Sequence, residues 1–144
     1  MQEAVNKTCN IRVQYVRAVS AVAHVRPYQN RFPLSNAIAV ELSTEALPEA
    51  GHHRLELGVT VTGTNSEGVL CFEVSSVHEA IVVHENLTEE ELKAMLESRM
   101  AGLLLGNVRV SISNASAQTG YGPVTLPPLS NDQLRALAQQ GKSQ

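Results

Sequence analysis

Residues 55 to 62, LELGVTVT, alternate apolar Leu55, Leu57, Val59 and Val61 with Glu56, Thr60 and Thr62 on the other face. A period of two over this length commits the segment to a strand buried on one side. The rest of the chain must then supply strands beside it and a layer over its apolar face. The glycine-bounded GTNSEG, residues 63 to 68, turns the chain, and the following strand opens with Leu70, Phe72 and Val74 on one face. These two strands are expected to form an antiparallel hairpin. Beyond Ser75 and Ser76 the apolar positions move to Val77, Ile81 and Val83. A strand accommodates that only through a bulge or twist, because its side chains alternate strictly.

Two more strands precede the hairpin. Cys9, Ile11, Val13 and Tyr15 alternate with polar residues, the phase slips at Tyr15 and Val16, and apolar residues continue at Val19, Ala21, Ala23 and Val25. This predicts one long strand with a bulge or bend near Arg17. Pro27 and Pro33 mark a loop, and Ile38, Val40 and Leu42 make the second strand, so the sheet is expected over residues 9–84. In NLTEEEL, Thr88 reads as a helix N-cap, Glu91 as its reciprocal partner and Leu87 with Leu92 as a hydrophobic staple. Glu89, Glu90 and Glu91 sit in the first turn, where the helix dipole favours anions.

Leu92, Met95, Leu96, Met100, Leu103 and Leu104 continue as an apolar stripe at helical spacing, which places a helical segment over residues 88–119. Within it, Val108, Val110 and Ile112 alternate with Arg109, Ser111 and Ser113, so local pattern leaves residues 107–117 open between helix and strand. TGYGPVTLPPL is an extended, proline-stiffened connection, and Ser130 or Asn131 can cap a short last helix over residues 130–140. The tail QQGKSQ is expected to fray. Strands followed by helices describe an α+β fold, a four-stranded antiparallel sheet with a long helical segment and a short C-terminal helix packed on one side. At 144 residues, one domain over 1–144 is expected.

Reactive constellations are scarce. His78 and His84 in VSSVHEAIVVHE lack the one-turn spacing of a zinc-protease helix, and at about 3.3 Å per residue they stand roughly 20 Å apart on a strand. His52 and His53 fall in a turn where adjacent side chains diverge. Cys9 and Cys71 show no CxxC spacing and read as buried free thiols. There is no nucleophile elbow, and GTNSEG lacks the lysine of a phosphate loop. No catalytic group, metal or cofactor is expected, and the chain does not read as an enzyme. A net charge of −3 without basic clusters argues against nucleic acid and acidic membranes as partners. With no apolar leader behind a basic start and no long apolar run, a cytoplasmic location is expected. What remains is apolar surface for partners.

The block LELGVTVTGTNSEGVLCFEVSSVHEAIVV, residues 55 to 83, resembles the centre of the SecB family of protein-export chaperones, and the later LTEEEL and GPVTLPPLSNDQL follow the family's order. The resemblance implies a dimer of dimers, a homotetramer of such sheets, and an ATP-independent holdase that binds unfolded or nascent polypeptide clients in apolar grooves and presents them to a translocase motor, SecA. It makes Phe72, Val74, Val77, Ile81 and Val83, with Leu103 and Leu104 on the covering helix, the expected groove residues. It also implies that residues 107–117 are helical. Glu73 matches the strand-four acid that docks the motor in the family, whereas the first-strand stretch VRAVSAVAHV carries no carboxylate. Such a departure also suits a dedicated SecB-like adaptor that serves a single partner such as an antitoxin.

Overall fold

The computed structural model describes residues 6–142. Four strands, β1 (Thr8–Ala23), β2 (Leu34–Ala46), β3 (His52–Asn65) and β4 (Leu70–Glu85), form one antiparallel sheet in the order β1-β4-β3-β2. The alternation of LELGVTVT holds throughout β3, where Leu55, Leu57, Val59 and Val61 are all buried on the inner face. Burying each such side chain contributes about 1.5–3 kcal/mol relative to leaving it in water. Val40 and Leu42 on β2 and Phe72, Val74, Ala80 and Val82 on β4 complete the inner face.

The strand-one expectation holds in kind. The register of β1 against β4 shifts between Val16 and Ala18, which makes Arg17 the extra residue, and shifts again between Ile11 and Val13. The bulge expected in strand four is corrected: from Phe72↔Gly63 to Val83↔His52, β4 pairs with β3 without a shift. The one irregularity of that pairing lies between Gly63 and Thr64, beside Cys71. The apolar set jumps because two polar residues, Ser76 and His78, occupy inner-face positions and are buried there, while Val77, Ile81 and Val83 point the other way.

Gly63 faces Phe72 directly across the hairpin. The missing side chain leaves room for the Phe72 ring, which also packs against Tyr121 at 5.4 Å between centroids. Tyr121 in turn donates its hydroxyl to the Val25 carbonyl at 2.6 Å. An aromatic ring lying over a cross-strand glycine covers backbone that glycine itself leaves bare.

The helical layer starts as its sequence dictates. In α1 (Glu89–Met95) the Glu91 amide donates to Thr88 Oγ1 and the Thr88 amide donates to Glu91 Oε1, both at 3.1 Å. A π-helical turn at Leu96–Met100 joins α1 to α2 (Ala101–Ala117). Residues 107–117 are thus helical: Val108 and Ile112, four apart, are buried with Leu104, Leu105 and Ala115, while Val110 stays 59% exposed. The long-range packing of that face outweighs the local β-branched alternation. In the apolar stripe, Leu103 is the exception, 52% exposed beside a fully buried Leu104.

The connection after α2 is tied back by the Val124 amide on Ser116 Oγ (2.7 Å) and by Arg109 Nη2 on the Pro127 carbonyl (3.1 Å). Leu126 plugs the core from this connection. Ser130, not Asn131, caps α3 (Asn131–Lys142), exchanging bonds with Gln133 in a second capping box. The helix continues to Lys142 through most of the tail that reads as frayed, and Ser143 and Gln144 lie outside the described residues. No helix among the described residues is long and apolar enough to cross a membrane.

Candidate functional site

The seven expected groove residues fall on two sides of the sheet. Phe72, Val74 and Leu104 are buried between the sheet and the helices. Val77, Ile81 and Val83 are half-buried on the face that carries no helix, and Leu103 points from α2 into solvent. Strict alternation along an unbulged β4 accounts for the split. Glu73 lies on the open face, half-exposed, with its carboxylate 3.6 Å from His24 Nε2.

The larger exposed apolar row lies on β1. Val13, Tyr15 and Val22 face the open side, whereas Val16 and Val19 face α2, and all five are exposed. The bulge at Arg17 keeps Val16 and Val19, three residues apart, on the same face. The sequence signal for it was the slip at Tyr15 and Val16. Two cavities follow β1 along α2: one of 330 Å³ lined by Gln14, Val16, His78, Asn107 and Val110, and one of 340 Å³ lined by Val19, Ala21, Asn114, Ala115 and Gln118. Ser111 belongs to both, so they form one trough. β1 is also an edge of the sheet, with no strand among the described residues on its far side.

His78 sits under this trough. Its Nε2 lies 3.1 Å from Ser111 Oγ, and burial pushes its imidazole below the ordinary histidine range. A histidine whose folded pKa is depressed gives its full stability above the unfolded value of about 6.5, and that stability is lost as pH falls from there through the folded value. The expected result is an unfolding midpoint that drops between pH 7.5 and 5.5. His78→Gln should flatten much of that slope, leaving the part that belongs to His84, whose imidazole burial also holds low. Denaturant titrations at several pH values measure it, and equal slopes for both proteins would discard the assignment.

The open face is held by charges. Glu56 and Glu79 lie directly opposite each other on β3 and β4, a like-charge pairing that disfavours a sheet unless it is compensated. Arg54 Nη1 donates to Glu56 at 2.8 Å and reaches Glu79 at 3.4 Å, Arg17 Nη1 donates to Glu56 at 3.3 Å, and the Tyr15 hydroxyl donates to Glu79 at 2.5 Å. The facing acids split accordingly. The Tyr15 hydrogen bond holds Glu79 below the usual carboxylate range, while burial pushes Glu56 above it. The arrangement places no nucleophile beside a base; it anchors the centre of the face with fixed polar groups.

His53 does not lie in the expected turn: it belongs to β3 and meets His84, the two ring nitrogens Nδ1 and Nε2 standing 2.9 Å apart. His52 points to the opposite side of the strand, towards Glu49 and Arg12. The separation of His53 from His84 along the chain hides this pair from any local motif.

A family model described as preprotein translocase subunit SecB matches residues 2–142. No curated protein matches the chain in sequence. Among solved structures, a SecB-like chaperone of Mycobacterium tuberculosis, in complex with a ChAD peptide from the HigA1 antitoxin, superposes with a TM-score of 0.70 at 20% identity, over 85% of this chain and 91% of that one. A protein of unknown function from Streptococcus agalactiae gives a TM-score of 0.43 at 12% identity, over 86% of this chain and 100% of that one.

Proposed function

The chain belongs to the SecB family, and from that premise we propose that it is an ATP-independent, cytoplasmic holdase that binds unfolded or nascent polypeptides through apolar surface and keeps them competent for export. The observation that carries this reading is the exposed apolar row of β1 beside the trough along α2. Extended client segments gain about 25 cal/mol for each Å² of apolar surface they bury there. Such binding needs no catalytic group and little sequence specificity. Of the expected groove residues, Leu103 on α2 and Val77, Ile81 and Val83 on the open face stay accessible on opposite sides of the sheet, while Phe72, Val74 and Leu104 are buried between the sheet and the helices. The test is light scattering from an aggregating unfolded client. Suppression at stoichiometric ratios without ATP is expected, and aggregation at the rate of the client alone would reject the reading.

A sixteen-residue apolar edge strand is an aggregation hazard unless something covers it, and a second copy is the simplest cover. The reading therefore includes a homotetramer built as a dimer of dimers, in which the open-face residues Val13, Tyr15 and Val22 of β1 lie in the contacts and Val16 and Val19 beside the trough stay free for clients. Multi-angle light scattering is expected to give four chain masses, falling to a smaller species for the Val13→Glu, Val22→Glu double variant. An unchanged mass for that variant would remove β1 from the assembly.

Docking to the translocase motor SecA rests on Glu73, the one acid of the expected pair that is present. The absence of a carboxylate from VRAVSAVAHV supports a second reading, a dedicated chaperone for one partner. A SecB-like chaperone of this fold holds an antitoxin peptide, so pull-downs from native extract separate the two: many unrelated clients for the first, a single dominant partner for the second.

A further inference from the structure

His53 and His84 line a cavity of 590 Å³ between the ends of β2, β3 and β4 and the start of the helical layer, together with Thr44, Glu89, Lys93 and Glu97. Both rings are half-buried and tilted 55° to each other, with centroids 4.9 Å apart. Their backbone is fixed. His53 pairs with Ala46 and Val82 in the interior of the sheet, and the His84 amide donates to the Gly51 carbonyl at 2.9 Å. Two imidazole nitrogens are thus presented side by side by strands that cannot drift apart.

We infer that His53 Nδ1 and His84 Nε2 form a two-imidazole binding site for one divalent transition-metal cation, with Cu²⁺ and Ni²⁺ favoured over Zn²⁺. Imidazole suits these ions, and affinity for a given site rises towards Cu²⁺ in the first-row series. Metal–nitrogen bonds of about 2.0–2.1 Å subtending a right angle put the two nitrogens about 2.9 Å apart, whereas tetrahedral geometry needs about 3.3 Å. The observed separation of 2.9 Å is that of a hydrogen bond between the two rings, and it lies within reach of adjacent positions in the square-planar or tetragonal geometry that Cu²⁺ and Ni²⁺ prefer. Convergence of the two lone pairs requires rotation about χ2 of each ring, a soft torsion.

Proton balance is simple. In the metal-free pair one imidazole donates its proton to the other, and on binding that proton moves to the far nitrogen of the same ring, so neutral ligands bind without net proton release. Among the described residues no group of three or more His, Cys, Asp or Glu side chains is arranged to hold a metal ion. Water completes the shell. The Glu89 and Glu97 carboxylates on the cavity wall favour a cation, and Lys93 opposes it. A bound ion would clasp the start of β3 to the end of β4 beneath α1, raising stability with metal concentration.

The test uses the full chain without an affinity tag, stripped of metal and titrated with CuCl₂ and NiCl₂ by calorimetry. One equivalent per chain at micromolar affinity is expected. His53→Gln and His84→Gln, each checked for a native circular dichroism spectrum, should weaken binding at least tenfold, while His24→Gln should leave it unchanged. Electron paramagnetic resonance of the Cu²⁺ complex of the unsubstituted protein should show coupling to two imidazole nitrogens, a readout independent of any variant's folding. Coupling to fewer than two, or affinity indistinguishable between the unsubstituted protein and both variants, overturns the inference. None of these outcomes bears on client holding.

Discussion

Gly63→Val is expected to lower stability by about 3 kcal/mol or more, at or above the usual cost of overpacking a core. A Cβ at position 63 would stand 2.1 Å from Cε1 of Phe72 and within 2.8 Å of two further ring atoms. The ring has nowhere to go, because it is buried and closed on its other side by Tyr121, itself tied to the Val25 carbonyl. Close-packed interiors respond to such an insertion by moving backbone or forcing strained rotamers. Against a total stability of about 5–15 kcal/mol, the loss is a large fraction. Phe72→Ala alone should cost about 3–5 kcal/mol through the cavity it leaves. In that background the Gly63→Val penalty should shrink well below its value alone, since the opposing ring is gone. Denaturant unfolding of the four proteins reads this as a double-mutant cycle, and additive losses would show that the contact is not the cause.

The second large effect separates two neighbours on α2. Leu104→Ala is expected to cost about 2–5 kcal/mol, because Leu104 is fully buried and anchors α2 on the sheet. Leu103→Ser should stay within about 0.5 kcal/mol of the unsubstituted protein, as surface substitutions do. It should nonetheless reduce suppression of client aggregation, since Leu103 is 52% exposed beside the surface proposed to hold clients. Chemical denaturation and aggregation assays on the same preparations check both halves. Comparable destabilisation by the two substitutions would contradict the burial assignment, and undiminished holding by Leu103→Ser would remove that residue from the client surface.

Where local chemistry decides an element, the chain is legible. The β3 alternation, the GTNSEG hairpin, the slip at Arg17 and the Thr88–Glu91 capping box are all consequences of residues near one another, and each has its counterpart in the structure. Where partners are distant, local patterns mislead. The run from Val108 to Ile112 alternates like a strand, yet Leu104, Leu105 and Ala115 complete a helical face whose burial against the sheet prevails. Ser76 and His78 disguise the inner face of β4, because a buried histidine satisfied by Ser111 on a helix far along the chain looks polar in a one-dimensional pattern. For the same reason the expected groove divided between two faces. The π-helical turn at Leu96–Met100 has no breaker to announce it and carries Leu103 out of a stripe that a regular helix would keep inside. The pairing of His53 with His84 depends on strand register and lies beyond sequence inspection altogether.

The strand order β1-β4-β3-β2 has a kinetic consequence. Of the four described strands β1 leaves the ribosome first, and β4, its partner among the described residues, leaves last, with every pairing from Thr8↔Glu85 to Ala23↔Phe72 spanning the intervening chain. At synthesis rates of about 5–20 residues per second, the apolar row of β1 waits for seconds with no strand to meet it. Closing so non-local a pairing is also intrinsically slow. For that interval the newborn chain is itself an unfolded polypeptide with an exposed apolar segment, in the same state as the clients it is proposed to hold, and copies already folded are the first chaperones it can meet.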